Sequence, residues 1–162
     1  MNNKFEIIPA TKKEIPVILS FIKSLAQHVA LSHEVVATEK DLEDTLFNSN
    51  SDIDVAIGYY EQVPVSFVLF FPNYSTFLAK PGIYVEDLYI KPEYRGRGLG
   101  KAIFSYLAKL AIERNCGKIE WNAVAWNDSA IDFYDNIGAV VLEGRKVFRL
   151  AGDPLQHLAD CN

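Results

Sequence analysis

The alternation of apolar and polar positions divides the first part of the chain into one strand and two helices. Residues 4–8 have the pattern of a strand, and apolar side chains at helical spacing over 11–29 predict a helix after it. Thr38 precedes an acidic turn over 39–41, which predicts the capped start of a second, shorter helix.

Strand-like segments dominate the middle of the chain. Residues 53–60 and 63–71 are rich in β-branched and aromatic side chains and are separated by Glu61-Gln62, which predicts a hairpin. A third strand is predicted over 82–90. The remaining pattern predicts a helix over 98–115, a strand over 118–124, a helix over 128–137 and closing strands over 139–142 and 146–150.

The order of these elements predicts the fold class. Hairpins occur together with strand-helix-strand connections, so we expect an α/β fold whose mixed sheet has helices on both faces. A chain of 162 residues can bury one compact core and is short for two, so we expect a single domain over 1–162.

Charge and composition restrict the classes of partner. The net charge is -5 and there is no polybasic run, so we expect a cationic partner and neither nucleic acid nor a membrane. The start Met1-Asn2-Asn3-Lys4 leads directly into the first strand, which predicts a cytoplasmic protein without a secretory signal. The two cysteines and three histidines are scattered, so we expect no metal site and no disulfide framework.

The most informative segment is the turn between the strand over 82–90 and the helix over 98–115. It runs Arg95-Gly96-Arg97-Gly98-Leu99-Gly100-Lys101, with three glycines in five residues. Glycine is unfavourable inside a helix, so these residues belong to the turn and let the backbone approach a ligand. Free amides at the helix start, the helix dipole and two arginines all favour an anion such as a pyrophosphate.

Two other glycine motifs do not fit this turn. A Walker A loop requires glycine where Arg95 stands and serine or threonine where Ala102 stands, and a dinucleotide fingerprint requires glycine where Lys101 stands. The remaining alternative is a turn that only reverses the chain, in which two flanking arginines have no packing role.

The turn resembles a known signature. Arg95-Gly96-Arg97-Gly98-Leu99-Gly100 matches the R/Q-x-x-G-x-G/A acetyl-CoA signature of the GCN5-related N-acetyltransferases. Residues 38–42, 84–90 and 126–134 resemble the diamine branch of that family, the spermidine/spermine and thialysine acetyltransferases. The resemblance covers about residues 5–150. It implies a sheet of about six or seven strands, two central parallel strands that splay apart to admit acetyl-CoA, and a homodimer.

The reaction that this family performs requires a base and an acid. A primary amine has a pKa near 10.4, so only about one molecule in 2,500 is neutral at pH 7. Glu86 and Asp87 lie in an apolar strand, on opposite faces unless a bulge intervenes. The resemblance implies that Glu86 is the base, acting through water. The alternative is a surface position for Glu86.

The acid for the departing thiolate is assigned to Tyr134. A tyrosine with a pKa of about 10 is protonated at pH 7 and can still give its proton to a thiolate. Positions 127, 131 and 134 share one face of the predicted helix. The alternative for Tyr134 is an ordinary core aromatic, and the match of 126–134 to the family favours the catalytic role.

The resemblance also implies two sets of contacts. Cosubstrate contacts are expected from Leu88, Tyr89, Ile90, Arg95, Gly96, Arg97, Gly98, Leu99, Gly100, Lys101, Asn127, Ala130 and Tyr134. Amine contacts are expected from His28, Glu86, Asp87, Glu120, Trp121, Asn122 and Glu143. This chain has His28-Val29 where the polyamine enzymes have a tyrosine-glutamate pair, so thialysine, lysine-like amines and other diamines remain open.

The implied function is the transfer of an acetyl group from acetyl-CoA to a primary amine of a small diamine, polyamine or lysine-like substrate. The amine attacks the thioester directly, with no acyl-enzyme and no metal. The alternatives are acetylation of protein N-termini or lysines, and a catalytically silent acyl-CoA sensor. Intact Glu86 and Tyr134 argue against the sensor.

Overall fold

The computed structural model describes residues 4–161. Met1 to Asn3, for which the sequence predicted no secretory signal, lie outside the described residues. The chain forms two compact units that divide between Trp126 and Asn127. The first unit holds the strands β1 (Phe5–Pro9), β2 (Asp54–Tyr60), β3 (Val63–Ser75), β4 (Lys80–Ile90) and β5 (Ile119–Trp121) and the helices α1 (Ile15–His28), α2 (Glu39–Leu46) and α3 (Leu99–Glu113). The second holds α4 (Asp128–Asn136) and α5 (Asp153–Ala159).

The five strands form one mixed sheet in the order β1-β2-β3-β4-β5. The first four are antiparallel neighbours, and β5 runs parallel to β4. Glu61 and Gln62 join β2 to β3 with positive φ angles of 48° and 68°, the signs that a type I′ hairpin turn requires. The predicted hairpin and the mixed sheet are therefore confirmed.

One face of the sheet is covered by α1 and α2. Phe21 of α1 is 2% exposed and stacks on Phe67 of β3, with ring centroids 5.6 Å apart and planes 4° from parallel. The same apolar cluster contains Ile15, Ile18, Leu19, Phe21, Leu42, Leu46, Val55, Ile57, Phe67, Leu69 and Tyr89.

The opposite face is covered by α3. Phe104 of α3 packs on Trp121 of β5 with ring centroids 4.7 Å apart. Arg114, just after α3, lies over the Phe70 ring and donates a 2.6 Å hydrogen bond to Asp54 at the start of β2. Because Phe70 alternates with Leu69 of the first core, these contacts are on the other side of the sheet. Helices on both faces are thus confirmed.

The predicted cap of α2 is confirmed. The Asp41 amide donates to Thr38 Oγ1 at 3.2 Å, and the Thr38 amide donates to the Asp41 carboxylate at 2.8 Å, which is a reciprocal capping box. None of the helices among residues 4–161 has the length and apolar character that a membrane span requires.

The strand count is lower than predicted, five against six or seven. Residues 139–142 and 146–150 pair with no strand in the described chain, and Val140 and Phe148 are 80% and 89% exposed. β-Branched and aromatic residues only favour an extended chain, and a strand also requires a neighbouring backbone to pair with. β5 is shorter than the predicted 118–124, and α5 was not predicted at all.

Truncating the stacked Phe21 tests the first core. We expect Phe21→Ala to lower the free energy of unfolding by about 3 to 5 kcal/mol, because it removes a buried ring and leaves a cavity. Urea denaturation measures the change. Phe77→Ala is the control, since Phe77 is 96% exposed and its loss should cost less than about 0.5 kcal/mol. Similar losses in both variants would contradict this packing.

Candidate active site

A β-bulge in β4 places two carboxylates together. Leu69 of β3 pairs with Asp87 and the next residue, Phe70, pairs with Val85, so Glu86 is an extra residue without a cross-strand partner. Val85 is buried on the α3 side, whereas Asp87 lies opposite Leu69 on the α1 side. Alternation turns Glu86 away from Val85, and therefore to the same side as Asp87.

The two carboxylates differ in exposure. Glu86 is exposed, whereas Asp87 is half-buried. Burial, reinforced by the negative charge of Glu86, raises the pKa of Asp87 from 3.8 to about 6. An anionic carboxylate that is short of solvent favours a cation beside it. An ammonium group beside the bulge would relieve the cost of this buried charge.

Beyond the bulge, β4 separates from its parallel neighbour. Pairing between β4 and β5 runs from Ile83 opposite Ile119 to Val85 opposite Trp121, and then stops. β4 itself continues to Ile90 and remains paired with β3. Along 86–90 the other edge of β4 pairs with no strand of the described residues. The Ile90 carbonyl accepts a hydrogen bond from Arg95, and the other main-chain groups of this edge can bind a ligand.

The glycine turn follows β4 after Lys91 and a short 3-10 helix, Pro92–Tyr94. Gly96 and Gly98 have φ angles of 71° and 80°, in the region that favours glycine, and a Cβ at either would meet no atom within 4 Å. Gly98 caps α3 without a side-chain hydrogen bond, and the Ala102 amide is bonded to its carbonyl at 3.1 Å. The amides of residues 99–101 therefore have no acceptor within the helix.

Both arginines of the turn stabilise it through main-chain contacts. Arg95 Nε donates to the Ile90 carbonyl at 2.9 Å, and Arg97 Nη2 donates to the Glu93 carbonyl at 3.1 Å. The Arg97 guanidinium also lies over the Tyr94 ring, 5.2 Å from its centroid. Their charges add to the field at the start of α3, while the backbone supplies the donors. The turn fits a phosphate-bearing ligand.

The predicted amine contacts on β5 divide between the two faces of the sheet. Glu120 pairs with Tyr84 of β4 on the α1 side, where Tyr84 also contacts Phe71. Trp121 points the other way, against Phe104 beneath α3. Asn122 follows the end of β5 and is exposed. Glu120 therefore shares a face with the bulge carboxylates, and Trp121 does not.

His28 lies at the end of α1 beside an aromatic ring. Its ring centroid is 6.4 Å from that of Trp126, with the planes tilted by 59°. Trp126 is 60% exposed. His28 therefore contributes to an aromatic surface of the first unit, a different chemistry from the tyrosine-glutamate pair of the polyamine enzymes.

The other predicted residues lie in the second unit. Asn127 caps α4, where its side-chain oxygen accepts a 3.3 Å hydrogen bond from the Ala130 amide. Tyr134 follows on α4, and burial raises the pKa of its phenol above the ordinary 10. The phenol is therefore protonated at neutral pH. Glu143 is exposed in the irregular segment after α4.

Sequence reasoning missed three polar residues near Glu120. Lys118 Nζ donates to Glu120 Oε2 at 2.5 Å, and Asn73 Nδ2 donates to the same oxygen at 3.0 Å. Tyr84 lies between this group and the bulge. Strand alternation over 118–120 could have identified Lys118, since residues two apart share a face. Asn73 carries no such local signal, because β3 brings it in from a distant part of the chain.

The raised pKa of Asp87 makes stability depend on pH. The carboxyl ionises near pH 3.8 in the unfolded chain and near 6 in the folded one. The unfolded state therefore loses its proton first, and stability falls as the pH rises from about 4 to 6. We expect Asp87→Asn to raise the free energy of unfolding above pH 6 by about 1 to 3 kcal/mol, with no difference near pH 4.

Urea denaturation between pH 4 and 8 measures this effect. Asp52→Asn is the matched control, because it makes the same chemical change at an exposed carboxyl and should change stability by less than about 0.5 kcal/mol. A stabilisation by Asp87→Asn that did not vary with pH, or a loss of stability above pH 6, would contradict the assigned burial.

Comparison with known proteins identifies the family. The sequence profile of the acetyltransferase (GNAT) family matches residues 22–139. The chain is 32% identical to the L-ornithine N5-acetyltransferase of Arabidopsis thaliana, over 94% of this chain and 87% of that protein, and 33% identical to the thialysine N-epsilon-acetyltransferase of Sus scrofa, over 88% and 89%.

A solved structure supports the fold. An integron cassette protein from V. cholerae superposes with a TM-score of 0.81 at 24% identity, covering 97% of this chain and 98% of that one. The GNAT profile spans most of the first unit, including the bulge, the separated edge of β4 and the glycine turn. The chain is therefore an acetyltransferase of the GNAT family.

Proposed function

We propose that this protein transfers the acetyl group of acetyl-CoA to a primary amine of a small diamine, polyamine or lysine-like substrate by direct attack. The observation that carries the proposal is the continuity of three features on β4, namely the paired carboxylates, the unpaired edge and the glycine turn. GNAT acetyltransferases use acetyl-CoA, and the curated relatives are named for amines.

The cosubstrate would be held by the main chain. Amides of residues 96–101 suit its diphosphate, since they lie at a helix start with open space at Gly96 and Gly98. The unpaired edge over 88–90 suits the amide-bearing pantetheine arm, in the manner of an added strand. Bound there, acetyl-CoA supplies the acetyl group as a thioester at the bulge.

The bulge carboxylates would bind and deprotonate the amine. Glu86 is exposed, as a base that acts through a water molecule must be. Asp87, with a pKa of about 6, is anionic at neutral pH and lies on the same side of the sheet, where it attracts the ammonium form of the substrate. Glu86 takes the proton that is lost when the amine becomes nucleophilic.

Tyr134 would donate a proton to the departing thiolate. Its raised pKa keeps the phenol protonated through the neutral range, which a general acid requires. The hydrogen bond between Asn127 and Ala130 orders the first turn of α4. Tyr134 lies on the same helix, about two turns after Asn127. Their contribution is to hold the helix that carries the acid.

The choice of amine rests on charge and on the named relatives. L-Ornithine and thialysine are amino acids with a side-chain amine, and both relatives act on that nitrogen by name. His28 lies beside Trp126, and His28-Val29 stands where the polyamine enzymes carry a tyrosine-glutamate pair, which weakens the case for spermidine. We include a homodimer in the proposal, since Val140, Val147 and Phe148 are at least 80% exposed in the second unit.

The direct test is thiol release from acetyl-CoA with L-ornithine, thialysine, L-lysine, diamines, spermidine and a short peptide in parallel. We expect turnover with small amines that carry an aliphatic primary amine. Turnover with the peptide alone would instead indicate protein acetylation. CoA binding without turnover on any acceptor would indicate a sensor and contradict the proposed function.

Removing one hydroxyl tests the acid. We expect Tyr134→Phe to lower kcat by about 100-fold or more, because the thiolate must leave without a proton donor. CoA affinity, measured by calorimetry, should be retained. Tyr74→Phe is the matched control, since Tyr74 is 62% exposed at the far end of β3 and should keep the wild-type rate. An unchanged kcat for Tyr134→Phe would remove Tyr134 from the mechanism.

A methyl group at the glycine turn tests cosubstrate binding. We expect Gly98→Ala to weaken CoA binding by about 10-fold, because the new Cβ enters the space assigned to the diphosphate and strains a positive-φ position. Gly144→Ala is the control, with a φ of 77° and open space beside it in the second unit. Equal CoA affinities for the two variants, measured by calorimetry, would argue against a phosphate site at this turn.

A further inference from the structure

A half-buried ion pair lies on the α1 face of the sheet, beside the bulge. Lys118 Nζ and Glu120 Oε2 are 2.5 Å apart, and each side chain is 26% exposed. Asn73 Nδ2 donates to the same carboxylate oxygen at 3.0 Å. The carboxylate is thus held by two donors from different strands, and it holds the lysine in turn.

The backbone of β4 is shaped to accommodate this pair. A Cβ on Gly82 would lie 2.4 Å from Asn73 Oδ1 and 2.9 Å from Lys118 Cγ, so any larger residue would displace both side chains. Gly82 lies within a strand and pairs with Asn73, so it is not a turn residue. The glycine is required because there is no room for a side chain at this position. The stem of Lys118 therefore crosses the strand in a fixed position, and its ammonium group is preorganised.

The pair lies at a defined distance from the bulge. Glu120 is the cross-strand partner of Tyr84, which is two residues before Glu86. Tyr84 therefore has Glu120 across the strand pair and Glu86 two residues along β4. Burial, together with the negative charges of these two carboxylates, raises the pKa of Tyr84. Two residues of a strand span about 7 Å, which is the spacing between Glu86 and Tyr84. Lys118 itself lies against Gly82, four residues before Glu86, and its side chain reaches along β5 to Glu120. The ammonium group held at Glu120 can therefore be reached by a small molecule that extends from the bulge.

Lys118 has donors to spare for such a molecule. An ammonium group has three N–H donors and no acceptor, and Glu120 takes one of them. An anionic group of a ligand can accept from the others. The same positive charge opposes a second ammonium group, such as the far end of a diamine.

We propose that Lys118 determines substrate class by binding the carboxylate of an amino-acid acceptor whose side-chain amine lies at Glu86 and Asp87. This inference rests on the proposed function and narrows it from small amines in general to amino acids. Three bonds span about 3.8 Å in an extended chain, so about 7 Å corresponds to five or six bonds. The side chains of ornithine and lysine have that reach between the terminal amine and the α-carbon substituents.

Glu120 and Asn73 are positioning residues in this arrangement. They hold the Lys118 ammonium toward the acceptor, and Glu120 also balances its charge in the absence of substrate. The diamine analogue of each amino acid lacks the carboxylate and so forfeits the Lys118 contact. The preference for an amino acid over its diamine analogue therefore depends on the substrate carboxylate alone, and it can be measured by comparing the two substrates.

The test uses substrate pairs that differ only by that group. Thiol release is followed with L-ornithine against 1,4-diaminobutane, and with L-lysine against 1,5-diaminopentane. The wild-type protein should have a lower KM for the amino acid than for the diamine in each pair. Lys118→Met should raise KM for the amino acids by about 10- to 100-fold, the loss expected for a charge-assisted hydrogen bond, with KM for the diamines unchanged or lower.

Two further variants complete the experiment. Lys118→Arg should retain the preference for amino acids, because the positive charge is kept. Lys109→Met removes an exposed lysine from α3 on the other side of the sheet and should leave every KM at the wild-type value.

The outcomes separate this inference from the proposed function. Turnover of both substrate types with equal KM changes in Lys118→Met would show that Lys118 only supports the fold, and would overturn the inference. A wild-type preference for the diamines would overturn it as well, with the proposed function intact. Absence of thiol release by the wild-type protein with every amine would overturn the proposed function itself.

Discussion

The site depends on the point at which β4 parts from β5. Inside a sheet, nearly every backbone amide and carbonyl is used by a neighbouring strand, so a strand can bind a ligand through its backbone only where a neighbour is missing. Here the pairing ends at Val85 and Trp121, while β4 continues to Ile90. The bulge at Glu86 coincides with that point, and the glycine turn follows at the end of the same strand. One strand therefore organises the proposed amine, thioester and diphosphate sites in sequence.

Burial of the Asp87 carboxylate at this site is unfavourable for the folded state. Asp87 is half-buried against an apolar core, which raises its pKa to about 6 and costs stability at neutral pH. An ammonium partner would relieve this cost, which is the physical basis for the proposed amine site. Lys118, Glu120 and Asn73 show the opposite arrangement, in which a charged pair is satisfied within the sheet. Among residues 4–161, the α1 face thus carries both Asp87, a carboxylate outside any ion pair, and Lys118, a cation that is paired with Glu120.

Local signals in the sequence predicted the features that depend on local geometry. The cap at Thr38, the hairpin turn at Glu61-Gln62 and the glycine turn were all identified from a few adjacent residues. The bulge at Glu86 was not located, because register depends on how β3 pairs with β4. The closing strands over 139–150 were wrong for a related reason, since strand-like residues do not supply a partner. Roles for Tyr134 and Glu86 came from family resemblance and stay proposals.

Backbone amide NMR during a CoA titration tests the central claim most directly, because it reports on each main-chain group that the separated strand is said to offer. The account predicts shift changes concentrated at residues 88–90 on the free edge of β4 and at residues 96–101 of the glycine turn. Shift changes confined to other regions, such as the β1 and β2 edge of the sheet, would contradict it.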